Sequence, residues 1–160
     1  MSRAGRPVLD TTPATSQRMS AQSSQDTKIE VQLRSLLHGR GLRYRVHQRP
    51  LRGLRRAGDV VFSRAKVAVF VDGCFWHGCP THGTWPKRNS QFWREKIEAN
   101  VRRDRDTDAA LKQAGWVAVR VWEHEDPAEA ADRVTALVRA RAQRTPTACP
   151  TGSRSARQLP

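Results

Sequence analysis

Val60-Val61-Phe62-Ser63-Arg64-Ala65-Lys66-Val67-Ala68-Val69-Phe70-Val71-Asp72 is the stretch on which the fold turns: two β-branched and aromatic runs separated by a short polar break. Such runs read as strands, and the break from Ser63 to Lys66 reads as a tight turn, so an antiparallel hairpin is expected. Upstream, Asp26 or Thr27 can cap a helix in which Ile29, Leu33, Leu36 and Leu37 share one face, with Gly39 and Gly41 ending it. Downstream lies a Gly/Cys/His/Pro-rich loop over residues 73–86. Ser90 can then cap a long helix from Gln91 to about Ala114, closed by Gly115. Val117, Val119 and Val121 alternate with Ala118 and Arg120 in a strand from Trp116 to Trp122, and Asp126-Pro127 opens a last helix with Val134, Leu137 and Val138 inward. The order α-β-β-loop-α-β-α predicts an α/β fold, a mixed β-sheet flanked by helices.

The 160 residues and 18.1 kDa suit one domain of ordinary size. Residues 1–17 read as a disordered extension, 18–142 as the folded domain and 143–160 as a disordered tail that holds Cys149. No run approaches the ~20 apolar residues of a membrane span, and the N-terminus has no apolar signal region. Three cysteines, unevenly placed, do not make a disulfide framework, so a reducing cytoplasm is expected. Twenty-nine Lys and Arg against 15 Asp and Glu give a formal charge of +14. Such an excess is self-repelling, and the usual cytoplasmic partner that relieves it is nucleic acid.

From Val31 to Lys66 ten basic residues stand against one acid, Asp59. A carboxylate amid phosphate-attracting charge repels DNA unless a cation sits between them, as in a Mg²⁺-dependent nuclease. A turn centred between Ala65 and Lys66 would place Asp59 directly opposite Asp72, a pairing that favours a shared hard cation. In the loop, Cys74-Phe75-Trp76-His77-Gly78-Cys79-Pro80-Thr81-His82 packs four soft or borderline ligands into nine residues. Cys74, Cys79 and His82 can supply three ligands to a structural Zn²⁺, with His77 or His124 as the fourth. His124 is preferred, which frees His77 for chemistry. Phe75 and Trp76, between the ligands, suit either core packing or a wedge pushed between base pairs.

These residues carry a family likeness. Val69-Phe70-Val71-Asp72-Gly73-Cys74-Phe75-Trp76-His77-Gly78-Cys79, then Trp85-Pro86-Lys87, Phe92-Trp93-Arg94-Glu95-Lys96-Ile97, Asn100, Arg103-Asp104, Gly115-Trp116 and Val121-Trp122-Glu123 together resemble the bacterial very-short-patch repair endonucleases, over about residues 18–140. The resemblance implies a restriction-endonuclease-like core, a structural Zn²⁺ and one or two catalytic Mg²⁺. It implies nicking of one DNA strand 5′ to the thymine of a T:G mismatch left by 5-methylcytosine deamination. By position, Asp59 matches the metal-bridging aspartate, and Val71 a backbone carbonyl that completes the Mg²⁺ shell. His77 matches the water-activating histidine and Glu30 an acid that supports the site through water. Phe75 and Trp76 match the aromatic wedge, Met19 an apolar residue inserted from the other groove, and Lys96 and Asn100 residues near the mismatched bases. There are departures. Asp72 stands where a histidine is usual, which makes it a further candidate Mg²⁺ ligand and catalytic residue. Gly58 replaces a common proline, His82 is offset by one position, and His124 replaces a cysteine.

The expected partner is therefore double-stranded DNA with a T:G mismatch, handled by a monomer in the bacterial cytoplasm beside the nucleoid, with other mismatch-repair proteins as further partners and no membrane. Two rival readings share most of these residues. One is a restriction-type or general nicking nuclease without mismatch specificity. The other is a zinc-stabilised DNA-binding protein without catalysis.

Overall fold

A computed structural model describes residues 26–84 and 87–144. Helix α1 (Lys28–Gly39) begins as its sequence requires. The Thr27 hydroxyl accepts from the Glu30 N–H at 3.4 Å and donates to Glu30 Oε1 at 2.9 Å, while Glu30 Oε2 accepts from the Asp26 N–H at 2.9 Å. That reciprocal cap satisfies otherwise orphaned donors at the first turn. Gly41, at φ +78°, takes the left-handed conformation that ends the helix.

Four strands form one sheet in the order β1 (Arg45–Gln48), β2 (Gly58–Phe62), β3 (Val67–Asp72), β4 (Val117–Trp122). The first three run antiparallel to their neighbours and β4 is parallel to β3. The parallel step needs a crossover, which α2 (Ser90–Gln113) supplies. Asp126 Oδ1 accepts from the N–H groups of Ala128 and Glu129 and so caps α3 (Pro127–Arg144). That helix runs two residues past the expected domain end, and Asn89, not Ser90, occupies the N-cap of α2.

The hairpin forms with a different centre. Its register pairs Phe62 with Val67 and Val60 with Val69. One pair further sets Phe70 opposite Asp59, so Asp59 and Asp72 do not face each other. They lie diagonally on the same face, because moving the turn centre by a full residue preserves side-chain parity. The unanticipated strand is β1: Arg45-Val46-His47-Gln48 has too little apolar content to read as a strand, and its ladder to β2 creates it. Gly58 lies within that ladder, paired with Gln48.

Helices cover both faces of the sheet, which explains why Val67 to Phe70 are buried without alternation. On one face Val60, Phe62, Val67, Val69 and Val121 pack under Leu33 and Leu37 of α1 and Ala130, Ala131 and Val134 of α3. Leu33 and Leu37 are fully buried, and truncating either to alanine would cost about 2–5 kcal/mol. On the other face Ala68 and Phe70 meet Leu111 of α2, with Leu51, Leu54 and Trp116 at the margin. The carboxyl ends of the parallel pair β3 and β4 open beside the start of β2. This is where open α/β sheets place their sites.

Candidate active site and metal-binding loop

Asp59 enters a cleft of about 350 Å³ lined by His47, Arg55, Arg56, Val71, Asp72, His77, Asp104 and Arg120. Its Oδ2 accepts the Val71 N–H at 2.7 Å, and His47 Nδ1 lies 3.8 Å from Oδ1. Burial, with Glu30 and Asp72 nearby, pushes the carboxyl up to about 6 against the Val71 hydrogen bond and His47. A group so placed resists ionisation until a cation arrives, which is the electrostatic signature of a metal ligand. His47 was not singled out from the sequence. It faces Asp59 across the β1–β2 ladder with φ +49°, a conformation few non-glycine residues adopt.

On the far wall His77 Nδ1 sits 2.6 Å from Asp104 Oδ2 and 3.5 Å from Asp72 Oδ1. Asp104 comes from α2. Burial raises its pKa, but the His77 bond and the Arg120 and Arg56 charges outweigh that and hold it low. A carboxylate on Nδ1 fixes that nitrogen as the donor and leaves Nε2 to accept a proton. Asp72 is 5% exposed and both of its oxygens lie against Arg120 Nη1, at 3.0 and 3.1 Å. Burial nevertheless pushes its carboxyl above the usual range. Arg120 also reaches Asp108 at 2.9 Å and the Asp104 carbonyl at 3.2 Å, and its guanidinium lies 4.8 Å from the Phe70 ring centroid.

Beyond β3 the chain turns tightly, with the His77 and Cys79 N–H groups donating to the carbonyls of Gly73 and Cys74. The turn gathers Cys74, Cys79 and His82, and the end of β4 delivers His124. Cys74 Sγ lies 3.0 Å and Cys79 Sγ 3.8 Å from His124 Nδ1, and one ligand atom from each of the four residues lies within 4.8 Å of the others. These separations and the two-sulfur, two-nitrogen donor set suit a tetrahedral Zn²⁺. Without a cation, burial and the neighbouring Cys79 push the Cys74 thiol up to about 12. Coordination reverses that preference, because a bound thiol is deprotonated. Glu123 anchors the corner by accepting the Cys74 N–H at 2.8 Å.

The same loop carries the aromatic pair. Phe75 and Trp76 are half-buried and meet Trp93 of α2 edge-on, with ring centroids 5.4 and 5.8 Å away. Lys96 Nζ lies over the Trp76 ring at 5.2 Å, and Asn100 Nδ2 donates to the Trp76 carbonyl at 2.9 Å. Both α2 residues thus hold the aromatic platform. Glu30 is 4% exposed and both its oxygens serve the α1 cap, although it stands with Asp26 and His47 near Asp59. Met19 lies outside the described residues.

The family model for the DNA mismatch endonuclease Vsr matches residues 9–82. The type II nicking enzyme V.NaeI of Lentzea aerocolonigenes is 46% identical over 125 residues, covering 77% of this chain and 74% of its own. This chain belongs to the Vsr DNA mismatch endonuclease family. The DNA mismatch endonuclease Vsr of Escherichia coli (strain K12) is 39% identical over 112 residues, 68% of each chain. The type II nicking enzyme V.NmeAIP of Neisseria meningitidis is 39% identical over 119 residues, 72% of this chain and 83% of its own. Membership makes the protein a DNA endonuclease, a hydrolase acting on phosphodiester bonds, with relatives that are bacterial. No helix among the described residues is long and apolar enough to cross a membrane. Within the Vsr framework the residues the sequence left without a role are His47, Asp104 and Arg120. Asp104 lay in a motif of the family likeness without a role of its own, and Arg120 carried a physical signal: a guanidinium in the apolar run Val117–Trp122 needs a buried partner.

Proposed function

We propose that this endonuclease nicks one strand of duplex DNA 5′ to the thymine of a T:G mismatch by Mg²⁺-dependent hydrolysis. The observation that carries the reading is the pairing of His77 with Asp104 at 2.6 Å across a cleft from Asp59, on the loop that also presents Phe75 and Trp76. Asp59 and the Val71 carbonyl are the groups that would hold the ion. Mg²⁺, when bound, neutralises charge on the scissile phosphate and stabilises the leaving 3′ oxygen. His77 takes the proton of the attacking water on Nε2 while Asp104 keeps Nδ1 protonated. Glu30 supports the Asp59 side from the α1 cap. Basic residues of the 31–66 stretch dock the backbone. Phe75 and Trp76 from one groove, and Met19 from the other, open the stack at the mismatch, where unstacking costs least. Lys96 and Asn100 fix the aromatic platform beside the bases. Cys74, Cys79, His82 and His124 would hold a structural Zn²⁺ that keeps the loop in place. We take the working form to be a cytoplasmic monomer close to the nucleoid, handing its nick to other mismatch-repair proteins.

A strand-specific nicking assay with Mg²⁺ on duplexes differing only in T:G or C:G at one position tests this. Cleavage confined to the thymine strand of the T:G duplex is expected, and equal cleavage of both duplexes would sink the mismatch specificity. Trp76→Ala should lose preference for the mismatch more than affinity for ordinary duplex, since a stacked base is worth about 1–3 kcal/mol. Equal loss of both would reduce Trp76 to packing. A nicking nuclease without mismatch selection is the second reading, favoured by the names of several relatives. A binding protein without catalysis no longer competes, since the family is one of endonucleases.

A further inference from the structure

We propose that Arg120 pre-empts Asp72, so that Asp72 is a positioning residue for the His77–Asp104 pair and not a ligand of the catalytic cation. The inference rests on the metal-dependent nuclease reading and deepens it. By sequence Asp72 is the natural second carboxylate: it ends β3, lines the same cleft as Asp59 and shares its face of the sheet. Its geometry argues otherwise. Both oxygens are engaged by Arg120 Nη1 at 3.0 and 3.1 Å, and the carboxylate is 5% exposed.

Arg120 cannot easily turn away. It ion-pairs with Asp108 at 2.9 Å and Asp104 at 3.3 Å, and it donates to the Asp104 carbonyl at 3.2 Å. The Phe70 ring centroid lies 4.8 Å from its guanidinium carbon. A cation approaching Asp72 would have to displace a guanidinium held by α2 at several points, and the two positive charges would repel. The carboxylate's remaining reach is to His77 Nδ1 at 3.5 Å, on the side where Asp104 makes the shorter bond. Arg120 therefore links Asp72, Asp104 and the imidazole into one unit whose geometry sets where Nε2 points. Second contacts of this kind tune a site without touching substrate.

Mn²⁺ alone, titrated into the full chain and followed by electron paramagnetic resonance, separates the roles, with nicking kinetics measured in parallel. Asp59→Asn should weaken Mn²⁺ binding at least about tenfold, whereas Asp72→Asn should change it less than about threefold while lowering kcat by about ten- to a hundredfold at unchanged KM for duplex. Asp72→Asn leaves Arg120 its Asp104 and Asp108 partners, so the fold has reason to persist. Arg120→Met should release Asp72 and tighten Mn²⁺ binding or add a second ion. Arg120→Lys, which keeps a charge but not the fork, should recover only part of kcat. Loss of Mn²⁺ in Asp72→Asn as large as in Asp59→Asn would overturn this inference alone, as would Arg120→Met binding Mn²⁺ no better than the parent where that variant folds. Unchanged affinity in Asp59→Asn would overturn the metal-nuclease reading and this inference with it.

Discussion

A carboxylate buried beside Glu30 and Asp72 works against the fold whenever it is ionised without a cation, and Asp59 is such a group. Its pKa rises from 3.8 to about 6, so the folded protein holds that proton more tightly than the unfolded chain does. The contribution of this group to metal-free stability is therefore greatest below pH 4, falls as pH climbs to 6, and stays low above, a difference of up to about 3 kcal/mol. Asp59→Asn should accordingly raise the metal-free melting temperature at pH 8 and leave it nearly unchanged at pH 4, while abolishing any stabilisation by Mg²⁺. Calorimetry at the two pH values checks this, and a shift of the same size at both would show no dependence on the Asp59 proton and overturn the prediction. Asp104→Asn offers a second residue-level test. The amide cannot hold Nδ1 as a proton donor as strongly, so kcat should fall about ten- to a hundredfold while duplex affinity stays within about threefold. Asp59 and His77 were legible in the sequence because each stands out chemically from its surroundings. Asp104 was not, since one of two acids alternating with arginines in the charged run Arg102-Arg103-Asp104-Arg105-Asp106 looks like a solvated helix face until the tertiary fold turns it toward His77.

At the scale of elements, the loop after β3 is held by backbone geometry. A Cβ on Gly83 would lie 2.4 Å from the carbonyl oxygen of Cys79, which itself accepts the Gly83 N–H at 2.8 Å. Backbone cannot yield there without moving Cys79. Gly83→Ala should therefore loosen the cysteine turn and, if the four residues hold Zn²⁺ as proposed, weaken its retention by at least about tenfold, measured by competition with a chromophoric chelator. Retention equal to the parent would show that the turn is not what organises the ligands. The hairpin and the three helices were readable from local pattern and caps, and their termini agree within a residue or two. The register was not, because Ser63-Arg64-Ala65-Lys66 offers no glycine or asparagine to fix a turn centre. The alternative of Asp59 facing Asp72 thus survived until long-range packing of Val60 on Val69 decided it. Strand β1 was invisible for a related reason: it is an edge strand made by pairing, and its exposed Arg45 and Val46 carry no alternation toward a core.

For the molecule as a whole, a formal charge of +14 makes DNA association a salt-controlled event. The logarithm of the binding constant should fall linearly with the logarithm of salt, by about 0.9 for each phosphate neutralised. Replacing Arg52 and Arg55, which are exposed on the β1–β2 connection, should reduce that slope by about 2 if both meet phosphates. Fluorescence anisotropy over a salt series reads the slope directly, and an unchanged slope would exclude this connection from the interface. Charge and composition gave away the partner class, and element order gave the mixed sheet with helices against it, while packing put α1 and α3 on one face and α2 on the other. The Cys/His cluster proposed to hold zinc has a further meaning for how such a chain reaches its fold. Cys74, Cys79 and His82 are neighbours in sequence, but His124 lies 50 residues beyond Cys74, past the whole of α2. An ion captured early by the three local donors would be left with one open position that only the completed β3–α2–β4 crossover can fill. Zinc added before refolding would then act as a latch on this 50-residue chain closure, accelerating it, whereas zinc added afterwards would find the latch already shut.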